Sequence, residues 1–116
     1  MKKFFRKLAG YVVTAYANRL YRKAVRIADK RHQEEKTMIY VIPSLFDPSR
    51  LVTCNRKEFR MVKEKLRIRS QKVEHLKEGS YYYTPDAIGC NGIKPIDKEA
   101  RRLAFVRLIL RRARLA

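Results

Sequence analysis

Basic side chains outnumber acidic ones by 29 to 11 in these 116 residues, and the excess is concentrated in three segments. Residues 1–31 hold ten basic groups and one acidic group, residues 56–72 hold eight and two, and residues 97–116 hold seven and two. Because a net charge of +18 opposes compaction by self-repulsion, the sequence predicts a polyanionic partner. DNA, RNA, an acidic protein surface and an anionic membrane all have this character.

The length allows one modest hydrophobic core, so residues 1–116 are predicted to form a single domain. The opening "MKKFFRKLAGYVVTAYA" has the basic start and short apolar run of a secretory signal. Its helical pattern continues past Ala17, however, which favours a helix of the folded domain over a cleaved signal. No run approaches the roughly 20 apolar residues that span a bilayer, and we therefore expect a soluble protein.

Apolar residues at three- and four-residue spacing predict a long amphipathic helix over residues 3–31, which the polar run "DKRHQEEK" ends. The residues assigned to its apolar side are Phe5, Leu8, Val12, Tyr16, Leu20, Ala24 and Ile27. Basic residues recur at the same spacing and are assigned to another side, namely Arg19, Lys23, Arg26 and Lys30. Gly10 either weakens this helix by about 1 kcal/mol or marks a bend.

The central segment predicts a hairpin followed by a helix, over residues 37–69. "TMIYVIP" and "LVTC" are rich in β-branched and aromatic residues, and "SLFDPSR" between them has turn chemistry. Asn55 and Glu58 have the spacing of a capping box, which starts the second helix. Its predicted buried residues are Phe59, Val62 and Leu66, and its basic residues Arg56, Lys57, Arg60, Lys63 and Arg67 are expected in solvent.

Residues 72–116 predict a second hairpin and a last helix. "KVEHL" and "YYYT" are assigned to strands around a turn at "KEGS", and Asp97 is assigned as the N-cap of the last helix. The apolar residues that favour this helix are Leu103, Ala104, Phe105, Val106, Leu108, Ile109 and Leu110. The whole order is α-β-β-α-β-β-α, an α+β fold with long amphipathic helices on short antiparallel hairpins.

Three helices on one side of a small sheet would combine their basic faces into one surface that binds nucleic-acid phosphates, largely independently of sequence. The candidate binding residues are Arg19, Arg22, Lys23, Arg26, Lys30, Arg60, Lys63, Arg67, Arg107, Arg111, Arg112 and Arg114. Tyr81 and Tyr83 are candidates for stacking on unpaired bases, although core packing is the favoured interpretation. Whether the ligand is DNA or RNA stays open, as does the alternative that each basic run is a solvated helix face.

The sequence gives no sign of catalysis, a cofactor or a metal. Cys54, Cys90, His32 and His75 are metal-ligand types, but no two of them have the close spacing that a local metal motif needs. The two widely separated cysteines are typical of an intracellular protein with reduced thiols. Cys90 follows Gly89 and precedes Asn91 and Gly92. Residues of these types indicate a turn more simply than a catalytic nucleophile. A non-enzymatic protein is therefore expected.

The stretches "ADKRHQEEKTMIYVIP" and "LVTCNRKEFRMVKEKL" resemble small basic proteins of tailed bacteriophages and related mobile elements, over residues 18–68. The resemblance implies a virion or accessory protein, in the host cytoplasm or in a particle, that contacts packaged DNA or other virion subunits. Two alternatives to nucleic-acid binding stay open. One is a structural protein that docks on other subunits, and the other, less favoured, is a peripheral protein whose Phe4 and Phe5 insert into anionic lipid.

Overall fold

A computed structural model describes residues 2–44, 46–65, 76–85 and 92–115 of the chain. It combines helices with a small antiparallel sheet of three strands, as the sequence predicts in outline. The described elements, in chain order, are α1 (Lys2–Glu35), β1 (Tyr40–Pro43), β2 (Leu51–Cys54), α2 (Arg56–Lys65), α3 (Leu76–Gly79), β3 (Tyr82–Tyr83) and α4 (Pro95–Arg112).

β1 is the central strand of the sheet, and it pairs antiparallel with β2 on one side and with β3 on the other. The β1–β2 hairpin has the predicted turn chemistry, because the Ser49 N–H donates to Asp47 Oδ1 at 3.0 Å and the Arg50 N–H donates to the Asp47 carbonyl at 3.0 Å. The strand predicted at "LVTC" is confirmed over all four residues, and the strand predicted at "TMIYVIP" is confirmed over its last four.

The second predicted hairpin is wrong where the structure describes it. Leu76 begins α3, so the turn expected at "KEGS" is largely helical. β3 pairs with β1 instead of with a neighbouring strand, and the Tyr81 N–H reaches the Val41 carbonyl at 2.7 Å. The "YYYT" segment thus pairs with the edge of β1 that β2 leaves unpaired. Residues 72–75, where most of the remaining strand was predicted, lie outside the described residues.

The sheet separates two groups of helices. Ile39, Val41 and Tyr82 pack in one core cluster with α1 and α4, whereas Tyr40, Ile42 and Tyr83 pack in another with Phe59 of α2 and Leu76 of α3. This division follows from the alternation of side chains along a strand. The prediction that all three basic helices lie on one side of the sheet is therefore wrong, because α2 lies across the sheet from α1 and α4.

α1 and α4 run antiparallel, since Asn18 contacts Arg102 and Tyr21 contacts Lys98 farther along α1. α1 is buried through Ala17, Tyr21, Ala24, Val25 and Ala28. Three of these five are alanines, whose small side chains let α4 and the sheet approach the helix closely. Burial here follows side-chain size as well as hydrophobicity.

The apolar side predicted for α1 is consequently wrong for most of its length. Phe5, Leu8, Val12, Tyr16 and Ile27 are all exposed, and only Ala24 of the predicted set is fully buried. With 34 residues α1 is about 50 Å long, close to the 54 Å longest dimension of the molecule. Its fully buried residues begin only at Ala17, so its first half contributes little to the core.

The ends of α2 and α4 show which local sequence signals determine where a helix begins. The capping box is confirmed, because the Glu58 N–H donates to Asn55 Oδ1 at 2.7 Å and the Asn55 N–H donates to Glu58 Oε1 at 3.0 Å. α4 begins at Pro95, two residues before the predicted cap Asp97, since proline at the first helical position has no N–H to satisfy. In α2, Phe59 is buried but Val62 is exposed; Leu66 lies outside the described residues.

Candidate anion-binding surface

The second half of α1 exposes a row of cations that we call the cationic ridge: Arg19, Arg22, Lys23, Arg26 and Lys30. These residues occupy the side of the helix away from Ala17, Tyr21 and Ala28, which face the core. The first carboxylate along the chain is Asp29, and it accepts a hydrogen bond from the Tyr82 hydroxyl at 2.6 Å. The ridge is therefore a surface of one charge sign.

A groove of about 700 Å³ runs between the cationic ridge and the first half of α4. Arg19, Arg22 and Arg26 line it from α1, and Lys98 and Arg102 line it from α4. Its apolar lining comes from Tyr21 and Val25. Five cations thus converge on a concave surface, although they come from segments about 80 residues apart in the chain.

Glu99 is the carboxylate of this groove, and it is engaged by Arg102. Arg102 Nε donates to Glu99 Oε2 at 3.1 Å, and a second nitrogen of the same guanidinium contacts Glu99 Oε1. These bonds raise the pKa of Arg102 and lower the pKa of Glu99 below its usual range. Arg102 also donates to Asn18 Oδ1, so its guanidinium is fixed between the two helices. One carboxylate against five cations leaves the groove strongly positive.

A second depression lies on the other side of the ridge, where Lys23, Arg50 and Arg112 surround Asp47. Arg50 Nε is 3.5 Å from Asp47 Oδ2, and Arg112 Nη2 is 3.7 Å from Asp47 Oδ1. Hydrogen bonds from Ser49 lower the pKa of Asp47 most, followed by the two arginines. Because one carboxylate is shared between two arginines, this side is also positive.

The other predicted residues do not join this surface. Arg107 and Arg111 lie on the outer face of α4, each two positions from the buried Phe105 or Ile109 and hence on the opposite side of the helix. Arg114 follows α4, and its carbonyl accepts a hydrogen bond from Arg6 at 3.5 Å. The predicted residues elsewhere are Arg60 and Lys63, which belong to α2 across the sheet, and Arg67, which lies outside the described residues.

The tyrosines of β3 and its approach are packed into the protein. Tyr83 is buried, and its ring has Lys77 Nζ at 5.0 Å and the Arg101 guanidinium at 5.3 Å from the centroid. Tyr81 packs edge-to-face against Phe105 with centroids 5.3 Å apart. Base stacking is therefore wrong for Tyr83, whose ring is covered, and the half-buried Tyr81 ring is held in the core contact that the sequence analysis favoured.

Cys54 and His32 are the cysteine and histidine among the described residues, and each lies in a buried or hydrogen-bonded position within the fold. Cys54 is a buried free thiol, and burial raises its pKa to about 12, so it stays protonated and unreactive. His32 Nδ1 lies 2.9 Å from the Thr37 carbonyl at the end of α1. Among residues 2–44, 46–65, 76–85 and 92–115, no group of three or more metal-ligating side chains is present. Cys90 and His75 lie outside those ranges.

Three members of the surface, Arg50, Lys98 and Arg102, were not predicted from the sequence. A signal for two of them was present, because Lys98, Arg102, Phe105 and Ile109 follow at steps of four, three and four residues. That spacing places both cations on the edge of α4 that packs against α1. Arg50 carries no such signal, since its position depends on how the hairpin meets the two helices.

No protein-family model matches the chain, and neither the curated proteins nor the solved structures contain a match to it. The resemblance of residues 18–68 to small basic bacteriophage proteins therefore stays a prediction. No helix in the described part of the chain is long and apolar enough to cross a membrane.

Proposed function

We propose that this protein binds the phosphate backbone of nucleic acids, largely independently of base sequence, through the cationic ridge and the groove beside it. The observation that carries the proposal is the convergence of Arg19, Arg22 and Arg26 with Lys98 and Arg102 around the single carboxylate of Glu99. In this role the protein binds without catalysing a reaction.

Phosphate binding suits both the charge and the shape of this surface. Neutralising phosphates releases condensed counterions, which favours binding whatever the base sequence. Four of the five groove cations are arginines, whose planar guanidinium can donate two parallel hydrogen bonds to one phosphate. From Arg19 to Lys30 the ridge is about 16 Å long, so it matches roughly five phosphates of one strand at 3.4 Å of helix axis each.

The ligand class includes both DNA and RNA, because a surface that contacts phosphates does not read base edges. The resemblance to phage proteins is compatible with DNA packaged in a particle. Docking of the ridge on an acidic virion subunit would use the same charges, and a direct binding measurement separates it from nucleic-acid binding.

The proposal is tested by fluorescence anisotropy with a labelled 20-base-pair duplex and a labelled single strand of mixed sequence, over a range of salt concentrations. Replacing Arg19, Arg22 and Arg26 with alanine is expected to reduce the slope of log affinity against log salt by about 2 to 3, at roughly 0.9 per lost phosphate contact. The matched control removes three exposed cations of α2, Arg56, Lys57 and Arg60, and is expected to have a much smaller effect.

Equal weakening by the two triple variants would show that only net charge matters and that the ridge is not the site. Absence of binding at low salt would overturn the proposal altogether. Binding confined to an acidic protein, with none to either nucleic acid, would favour the docking alternative.

A further inference from the structure

The first half of α1 carries large apolar side chains on its solvent-facing side, and we call this set the apolar face. Its members are Phe4, Phe5, Leu8, Tyr11, Val12 and Tyr16, each about half or more exposed, from 49% for Leu8 to 67% for Phe4. They follow one another at the three- and four-residue steps of a continuous helical surface. Six large apolar side chains together form a contiguous patch, unlike the scattered single exposures of an ordinary surface.

The apolar face and the cationic ridge occupy the same side of one helix. Starting at Leu8, steps of four, four, three and four residues lead through Val12 and Tyr16 to Arg19 and then Lys23. From the sequence, the apolar and basic residues of α1 were expected on different sides of the helix. In the structure they lie on one side and are separated along the helix axis. The residues of the apolar face end at Tyr16, and those of the cationic ridge begin at Arg19.

The opposite side of the same segment is basic and braced by the end of α4. Lys3, Arg6, Lys7 and Gly10 lie beside Leu110 and Leu115 in a shallow depression. Arg6 also reaches the Arg114 carbonyl at 3.5 Å. These contacts set the rotation of the first half of α1 about its axis, so the apolar face points away from the body of the protein.

We propose that the apolar face docks on an anionic lipid bilayer, with the first half of α1 lying in the plane of the interface. The charges of α1 indicate which partner binds the apolar face. Lys3, Arg6 and Lys7 form the basic side opposite the apolar face, and no carboxylate precedes Asp29, which is the pattern of a helix that inserts among anionic headgroups. A second copy that docked through its own apolar face would bring no carboxylate of this segment to these cations, and a phosphate backbone offers no apolar surface to Phe4 and Phe5.

The geometry accommodates such an arrangement without unfolding. Aromatic and aliphatic side chains of the apolar face enter the boundary between headgroups and acyl chains. Lys3 and Lys7 have stems long enough to lie along apolar surface while their ammonium groups reach the headgroups. Because the cationic ridge continues on the same side of α1, its arginines meet lipid phosphates when the helix lies flat. The inference does not depend on the proposed nucleic-acid function.

A tryptophan reporter gives a direct test, because the chain contains no tryptophan. We expect the emission of a Phe5→Trp variant to shift to shorter wavelength with vesicles of phosphatidylglycerol and phosphatidylcholine, and to be quenched by brominated acyl chains. The matched control is Ile96→Trp, at a 77% exposed position near the start of α4. It is expected to show neither change. An unshifted Phe5→Trp emission, or equal shifts for both variants, would overturn the inference.

Vesicle co-sedimentation of the otherwise unchanged chain provides the second readout. Phe5→Gln combined with Leu8→Gln is expected to weaken partitioning onto anionic vesicles about tenfold or more, because two exposed apolar groups no longer enter the bilayer. Ile96→Gln combined with Leu103→Gln on α4 is the control and is expected to leave partitioning unchanged. Circular dichroism verifies that each variant keeps its helix content.

Three results would count against a lipid partner. Partitioning that is equal for the two double variants would show that the apolar face is not involved. Equal partitioning onto pure phosphatidylcholine would remove the role of charge. A concentration-dependent dimer that Phe5→Gln with Leu8→Gln dissociates would identify a second copy as the occupant. Duplex binding should be the same in the Phe5→Gln, Leu8→Gln variant and the wild type, which keeps this test separate from that of the ridge.

Discussion

The hydroxyl of Tyr21 donates a hydrogen bond of 2.7 Å to the carbonyl oxygen of Tyr81, and so joins the middle of α1 to the residue that precedes β3. The Tyr21 ring also packs beside Phe105 of α4, with centroids 6.5 Å apart. One buried side chain therefore contacts the long helix, the approach to the third strand and the last helix. These contacts place the two helices that line the groove.

Replacing Tyr21 with phenylalanine keeps the ring but removes this hydrogen bond. We expect the free energy of unfolding to fall by about 1 kcal/mol, the usual net contribution of one hydrogen bond, with a buried carbonyl left without this donor. Urea denaturation followed by circular dichroism measures the change. Tyr16→Phe, at an exposed position on the same helix, is the control, and an equal loss in both variants would contradict this role for Tyr21.

Stability should decline at alkaline pH because two tyrosines are held neutral. Burial raises the pKa of Tyr21 to about 12, and burial followed by the hydrogen bond to Asp29 raises the pKa of Tyr82 as well. A raised folded-state pKa contributes stability that is complete below the unfolded value of 10 and is lost as pH rises above it. We expect urea midpoints to fall from pH 10 towards pH 12. Midpoints that stay constant across this window would contradict the prediction.

Arg31 connects the end of α1 to the β2–α2 junction. Its guanidinium donates to Glu35 Oε2 at 2.6 Å and to the Thr53 carbonyl at 3.1 Å, and it also contacts the capping residue Glu58. We expect Arg31→Ala to lower the free energy of unfolding by about 1 to 2 kcal/mol, since charge-assisted bonds are lost from a partly exposed site. Thermal denaturation is the measurement.

Arg31→Lys should recover only part of that loss, because an ammonium group cannot reproduce the planar contacts to several acceptors. Arg26→Ala, one to two turns earlier on the exposed side of α1, is expected to leave stability unchanged. A comparable loss for Arg26→Ala would mean that positive charge on α1, and not this junction, is what stabilises the fold.

Gly10 lies inside α1 with open space around it, because a Cβ built at this position would have no neighbour within 4 Å. Gly10→Ala is therefore expected to raise the free energy of unfolding by about 0.5 to 1 kcal/mol through helix propensity. Gly92→Ala should do the opposite, since its Cβ would lie 3.0 Å from Cδ of the rigid Pro85 ring. Chemical denaturation of the two variants checks both signs, and a Gly10→Ala variant less stable than the wild type would contradict the first.

Local structure was predictable from the sequence where neighbouring residues decide it. The capping box of Asn55 and Glu58 and the strand at Leu51–Cys54 depend on contacts within a few residues, and both are confirmed. The helix α1 was predicted for the same reason, although it continues to Glu35. Its C-terminus is closed by the left-handed backbone of Lys36, at φ 55°, which composition does not reveal.

The orientation of elements could not be predicted in the same way. The core side of α1 is set by small residues such as Ala17 and Ala28, because α4 and the sheet must come close, and hydrophobicity alone points to Phe5 and Val12 instead. The placement of α2 across the sheet had a usable signal. β1 is apolar at both Val41 and Ile42, and a strand without alternation is typical of burial on both faces.

The length of α1 means that one continuous helix passes through two different environments. From Ala17 onward one side of the helix packs against α4 and the sheet. Before Ala17, the described contacts of that side include those with Leu110 of α4 and Leu115 after it, and Val13 packs at the edge of the core. With fewer buried contacts, the first half should open locally at a lower free-energy cost than the second half. We therefore expect amide hydrogen exchange to divide this one helix into a less protected first half and a more protected second half.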